Sequence, residues 1–477
     1  MKKIGKVQLK YKSFFFFSAF LILLNPIKSY SKSLCNLEDV NNHNKIIQNV
    51  INQIDKSNND IKSFSFNLLA AKNYKNYVKS SSFPDFEISF NPQGPYITSG
   101  STKYFSSSDS FYTTDSYYTD YTIFPNMTAA LSKSFFDFQQ KYLNKSAKED
   151  VITADYNLRN KKNNTLHEFL KLYIQFQGNL SSYKNASLVV NDLEKLTSNA
   201  KELLEANITT IINYRTQYSS YLKSLAKLKK LENSIYSLRE QIKSLTGYII
   251  DKKDYLPLPS PYCIKELPKM DILESKTFAR YEPLLILESQ SKSNKLLSKS
   301  ENASHLPSLS VGISSNYYIQ QGNNNNSDVY GERNSLFSIY PYAYLGFDID
   351  IGGKKRNSSE RYKNLANANL ESKINLQKQS LASLKTSKDS ISKNLSIYED
   401  YETIIVNSQK NINDVKEEIN NGFMDYSNFI QNQTDLYDSI ESSNQAVVDL
   451  YKSFFDIYRL VGFPVKISEF SINELKI

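Results

Sequence analysis

Few residues in this chain are spaced for chemistry. His43, His167 and His305 are scattered far apart, and no HExxH, paired CxxC, phosphate-binding glycine loop or dinucleotide fingerprint occurs. His167-Glu168 begins a zinc-helix pattern but lacks the second histidine, so it reads as exposed helix. Asp348 and Asp350 are two apart, which puts both carboxylates on one face of a strand. Such a pair could pass a proton, but a water-facing lining is the reading adopted. Cys35 and Cys263 each stand just before a helical start. In an oxidising compartment they could join as a disulfide. Two inert thiols, or lipidation of Cys35, are the alternatives, and Leu34 is a poor residue to precede a lipidated cysteine. No enzyme activity, cofactor or metal is expected.

The elements around these residues say more. The first residues form a leader: Lys2, Lys3, Lys6, Lys10 and Lys12 precede the apolar run Phe14 to Leu24, and Ser29-Tyr30-Ser31 offers small residues for cleavage. No other run is long and apolar enough for a transmembrane helix, so an exported chain that spans a membrane must do so as a β-barrel. The net charge of +9 is mostly this leader. Residues 1–31 hold six lysines and no acid, and the remainder carries 52 basic against 49 acidic residues. Nucleic acid is therefore not an expected partner.

The second half repeats the first. Asn207, Asn213 and Gly247 match Gly422, Asn428 and Gly462 at a constant offset of 215. No proline interrupts the interval from Pro125 to Pro257 or from Pro341 to Pro464, and proline costs a helix interior about 3 kcal/mol. Each interval carries apolar residues at spacings of three and four, as in Leu222 to Leu245 and Phe429 to Val461. Each divides at a turn into an outgoing helix of about 65 residues, about 100 Å long, and a return helix. Before each hairpin lies a strand pair. Leu309, Val311 and Ile313 alternate with Ser310, Gly312 and Ser314, and Phe337 to Ile351 alternates likewise. Strands of this length with one greasy face suit a bilayer. The plan is leader 1–31; first repeat 32–247 with a helix, strand pair 84–137 and hairpin 139–247; Pro-rich linker 248–269; second repeat 270–462 with a helix, strand pair 307–351 and hairpin 354–462; and tail 463–477.

This plan resembles the TolC-type outer-membrane efflux family over essentially the whole mature chain. The resemblance rests on Leu306-Pro307-Ser308-Leu309 entering a strand, Asp350-Ile351-Gly352-Gly353 opening a long helix, and Gly422 with Asn428 before a helix ending Tyr458-Arg459-Leu460-Val461-Gly462. It implies a mainly α fold with a membrane β-barrel. Three chains would give four strands each to a shared barrel, continued by an α-helical tunnel. It further implies a passive export duct in the outer membrane, extending into the periplasm. Its partners would be outer-membrane lipid, a periplasmic adaptor and an inner-membrane RND or ABC transporter, with type I secretion among the possible routes. The turns at Asn207 and Gly422 would form the periplasmic tip and gate. Positions that are acidic in well-studied members are Asn428 and Gln431 here, Asn213 is the first-repeat counterpart, and Met424 replaces a frequently basic residue. A neutral ring should hold cations less tightly than a carboxylate ring. The competing expectation is a coiled-coil adaptor or surface structural protein without a channel.

Overall fold

The computed structural model describes residues 37–102, 116–251, 254–264, 267–324, 333–347, 349–420 and 426–462. The expected leader, Cys35, Asp348, Gly422, Met424 and the tail 463–477 lie outside the described residues. In chain order the elements are α1 (Leu37–Ser57), α2 (Asn59–Ser80), β1 (Asp85–Thr102), β2 (Ser116–Phe136), α3 (Phe138–Glu205) and α4 (Ile211–Thr246). After a short 3-10 turn at Pro261–Cys263 follow α5 (Met270–Arg280), α6 (Glu282–Ala303), β3 (Ser308–Asn324), β4 (Arg333–Gly346), α7 (Lys354–Asn420) and α8 (Tyr426–Val461). No described helix is long and apolar enough to cross a membrane.

The chain divides into two compact units, to both of which α3 and α7 contribute. One unit, Asp60–Lys161 with Glu282–Lys378, holds the strands. They form an antiparallel sheet in the order β1-β2-β3-β4, which leaves β1 and β4 as edges. Pro341 is accommodated because β4 is an edge strand, where a missing N–H need not break a ladder. Pro125 falls in the gap of the β2–β3 ladder between Tyr121 and Met127, where no donor is required.

Aspartates mark where strand gives way to helix. The Gln140 N–H donates to Asp137 Oδ1 at 2.8 Å at the start of α3. At α7 the N–H groups of Lys354, Lys355 and Arg356 donate to the Asp350 carboxylate at 2.9, 2.7 and 3.2 Å. Desolvation works against its charge, yet these bonds hold the Asp350 carboxyl below its usual range. The reading of Asp350 as a barrel-lining carboxylate is thus corrected. β4 stops at Gly346, and Asp350 satisfies N–H groups that a helix start leaves without partners.

In the same unit α6 packs through hydroxyls. Ser289 donates to the Glu149 carbonyl (3.0 Å), Ser291 to the Ala366 carbonyl (2.9 Å) and Ser300 to the Gln139 carbonyl (3.1 Å). Ser298 and Ser359 hydrogen-bond at 2.9 Å. Small side chains let the helix backbones approach, and each buried hydroxyl keeps a partner, so burial costs little.

The other unit comprises 1–59, 162–281 and 379–477. Its core includes Leu166, Phe169, Tyr173 and Phe176 of α3 and Leu450, Tyr451, Phe454 and Phe455 of α8, all nearly inaccessible. Burying one such side chain is worth roughly 1.5–3 kcal/mol. Gly178 lies so close to the Val448 side chain that any Cβ there would overlap it. The segment after α4 is tied down by polar groups from three helices. Gln177 donates to the Asp254 carbonyl (3.1 Å), Tyr451 to the Ser260 carbonyl (2.8 Å), and His43 Nε2 to the Pro257 carbonyl (3.0 Å). Cys263 is buried in this segment, and no cysteine is free among the described residues. With Cys35 outside them, the Cys35–Cys263 pairing is taken up as a proposal.

Candidate functional site

Two regions carry the functional signal: the faces of the sheet and the turn between α3 and α4. In the sheet, cross-strand partners share a face. Phe86 pairs with Leu131, Leu131 with Ile313 and Ile313 with Pro341. Two residues along, Ile88, Ala129, Ser315 and Ile339 form the next row. Val311 and Ala343 continue this face, and Leu309 and Leu345 close it. It is apolar over all four strands but for Ser315, and its large residues are 37–66% exposed apart from the less exposed Leu309. Lys133 shares the face near its end, its ammonium 5.3 Å from the centre of the Phe135 ring. The opposite face carries Glu87, Ser132, Ser310, Ser314, Asn316, Ser338 and three tyrosines. The sheet thus has one largely exposed apolar face and one hydroxyl-rich face, a two-sidedness of the kind that strands between lipid and water need.

The turn beyond α3 is formed by Asn207, whose φ of 56° is a left-handed conformation that asparagine tolerates. The Thr210 side chain then caps α4 by accepting from the Asn213 N–H at 3.2 Å. Asn207 is exposed and Asn213 half-buried. Asn428 and Gln431 are exposed on the first turns of α8, and Gln431 donates to Asp435 Oδ1 at 2.8 Å. No described side-chain hydrogen bond joins the asparagines of α4 to those of α8. Beneath lies an apolar cluster drawn from four helices: Leu193 and Leu196 of α3, Ile405, Ile412 and Val415 of α7, and Phe429, Ile430, Leu436 and Ile440 of α8, with Tyr221 of α4 packed against it.

Sequence reasoning missed two features of this unit. Ile208 and Ile212 are 72% and 70% exposed beside the turn, with Ile211 also exposed. Their signal was a cluster of β-branched residues with no charge between Ala206 and Tyr214. Asp435, which the sequence reading did not single out, supplies a carboxylate one turn beyond Gln431. His167 also requires correction: it is not simply surface. Its Nε2 lies 2.7 Å from Asp456 Oδ1, and Lys171 lies 2.6 Å from the same oxygen. Burial opposes ionisation of Asp456, but His167 and Lys171 hold its carboxyl below the ordinary range. Among the described residues no group of three or more His, Cys, Asp or Glu could hold a metal ion.

No family model and no curated relative matches the chain. Solved structures do. The Campylobacter jejuni CmeC outer membrane channel superposes with a TM-score of 0.67 at 13% identity, covering 99% of this chain and 95% of that one. The outer membrane protein VceC of Vibrio cholerae gives 0.65 at 11% identity, covering 88% and 97%. The open state of the Neisseria gonorrhoeae MtrE outer membrane channel gives 0.64 at 12% identity, covering 87% and 88%. These likenesses identify a helical protein with a small antiparallel sheet. The chain has the TolC-type fold, that of outer-membrane channels.

Proposed function

We propose that this chain is a passive outer-membrane channel-tunnel that closes as a homotrimer and exports cargo delivered by an inner-membrane pump through a periplasmic adaptor. The observation that carries the reading is the sheet. Four strands are too few to close on themselves, and an open edge in lipid leaves backbone groups without partners. Joining β4 of one copy to β1 of the next removes both edges and turns the apolar face to lipid. The fold likeness to outer-membrane channels supports the same placement. A coiled-coil adaptor would have no use for such a sheet.

Further parts of the reading follow. The two halves are copies of one unit; helices of 68 and 36 residues in the first and 67 and 36 in the second support this. Gly247 and Gly462, both at positive φ, end the two return helices. The leader directs export, and Cys35 pairs with Cys263 in the oxidising space beyond. Asn207, Asn213, Gly422, Met424, Asn428 and Gln431 belong to the tip and gate, and the exposed isoleucines there supply an apolar surface for the adaptor.

Electron microscopy of the detergent-extracted mature protein tests this. A threefold particle with a lumen, which also conducts ions in lipid bilayers, is the expected result. A monomeric or solid rod without conductance would remove the channel and favour the adaptor reading.

A further inference from the structure

The hydroxyl-rich face of the sheet is not uniform. Tyr340, Tyr342 and Tyr344 stand on alternate positions of β4 and so form one column, with rungs about 7 Å apart. The facing column on β3 is small: Ser314 opposes Tyr340, Gly312 opposes Tyr342 and Ser310 opposes Tyr344. The large rings therefore have room to lean across the neighbouring strand. Tyr342 does so: a Cβ built on Gly312 would lie 2.6 Å from its Cζ. Covering a glycine with an aromatic ring is a known way to secure a strand, and it accounts for Tyr342. Tyr344 likewise lies against a glycine, Gly346, where a built Cβ would stand 2.8 Å from its Cε1, whereas Tyr340 faces no glycine. Tyr340 accepts a 3.0 Å hydrogen bond from Asn316 Nδ2, and it remains 44% exposed. Tyr344 is 63% exposed.

We infer that this column is a stacking track for neutral sugar rings, and that the duct accepts a glycan or glycoside as cargo. The inference rests on the barrel reading, which makes this face the lumen. A leaning phenol presents a π-face to the lumen, and an aromatic face attracts the C–H face of a pyranose or another flat ring. What borders the rings selects among such ligands. Ser310, opposite Tyr344, and Ser338, next along the column from Tyr340, are partly exposed and supply hydroxyls. A hydroxylated ring satisfies these groups, whereas a purely aromatic cargo does not. Asp85 and Glu87 of β1 stand on this face in the rows of Tyr342 and Tyr340, and their carboxylates can accept from sugar hydroxyls. Anionic cargo is therefore disfavoured beside the rings. Two free rungs, Tyr340 and Tyr344, lie about 14 Å apart, so an oligosaccharide long enough to reach both binds more tightly than a monosaccharide.

Maltohexaose is the probe, with glucose and a polyethylene glycol of similar size as controls. It is titrated calorimetrically against the detergent-extracted full-length protein and added to single channels in planar bilayers. The expected result is reversible current block by maltohexaose and much weaker block by glucose or the glycol. Affinity should fall at least about tenfold in a Tyr340→Ala, Tyr344→Ala double variant and stay within about threefold in the Tyr→Phe double variant. Tyr342 is left in place because it covers Gly312. A trimer on a native gel and a circular dichroism spectrum like the parent's show that the variants have folded, whatever their conductance. Conducting channels that bind maltohexaose no better than the glycol, or equally well without the two rings, overturn the inference alone. Tyrosine-dependent block by an aromatic cation without any by maltohexaose overturns the sugar class. A chain that forms no conducting pore overturns the barrel reading and this inference with it.

Discussion

Helices α4 and α8 have the same length, 36 residues, and each stops at a glycine with positive φ. Their burial is opposite. α8 buries Val447, Val448, Leu450, Tyr451, Phe454, Phe455 and Ile457 in succession, whereas α4 buries only Gln217, Leu238, Ile242 and Thr246. Spacing explains the contrast. In α4, Leu222, Leu225, Leu228 and Leu231 follow at steps of three, each step turning the apolar direction about 60° around the axis. Leu222 therefore lies half-exposed, roughly opposite Ile242, which is fully covered. In α8 steps of three alternate with steps of four, as at Val447, Leu450, Phe454, Tyr458 and Val461, and the stripe stays on one side. Equal length and similar apolar content do not make equal packing; the phase of the repeat decides how much of it one partner can cover.

The largest test of this contrast is a pair of truncations. Phe454→Ala, at a site 1% exposed, should cost about 3–5 kcal/mol, while Tyr236→Ala, at a site 66% exposed, should change chain stability by less than about 0.5 kcal/mol. Urea midpoints followed by circular dichroism measure both, and similar losses would break the comparison. If α4 turns its uncovered face to another copy, Tyr236→Ala should instead weaken the trimer on a native gel.

A smaller effect concerns how α4 holds its shape with so little packing. Its ends are fixed locally: Thr210 accepts from the Asn213 N–H, and the Gly247 N–H donates to the Lys243 carbonyl at 2.8 Å. Thr210→Ala should cost about 1 kcal/mol and speed amide exchange over residues 211–214. Exchange unchanged there would mean that tertiary contacts hold this end after all.

The smallest effect is a pH dependence confined to the packed pair. Asp456 of α8, beside His167 and Lys171 of α3, has a carboxyl held below its ordinary range. A carboxylate so depressed contributes stability above its unfolded pKa of about 3.9 and loses it as pH falls through the folded value. The melting temperature should therefore drop further between about pH 5 and pH 3 in the parent than in Asp456→Asn. Parallel curves would show that the ion pairs contribute nothing measurable.

The sequence was most legible where a pattern has a period. Alternation along Leu309–Ile313 and Phe337–Leu345 placed those residues on the apolar face that the sheet register joins. Proline-free intervals bounded the long helices. Less could be read where polar atoms are buried, because a buried serine with a carbonyl partner looks the same in sequence as one in water. The hydroxyl packing of Ser289, Ser291, Ser298 and Ser300 was missed for that reason. Asp350 was misassigned because alternation continues past Gly346 to Ile351 while the chain has already turned to start α7. For the tip, residue types located the turn at Asn207, but the exposure of Ile208 and Ile212 depends on which neighbours the fold leaves out. Gly422 and Met424 fall outside the described residues.

The alternation in the strands has one more consequence. Because apolar groups occupy every second position, the strands offer no continuous greasy run as linear segments, and no described helix is long and apolar enough to cross a membrane. The unpaired chain also carries its backbone polar groups into any lipid it enters, at several kcal/mol for each group left without a partner. Affinity for lipid is thus created by pairing: only when Phe86, Leu131 and Ile313 come side by side does a continuous oily surface exist. On the barrel reading proposed above, such a chain passes through water as an ordinary polar polymer and gains its affinity for lipid only upon folding.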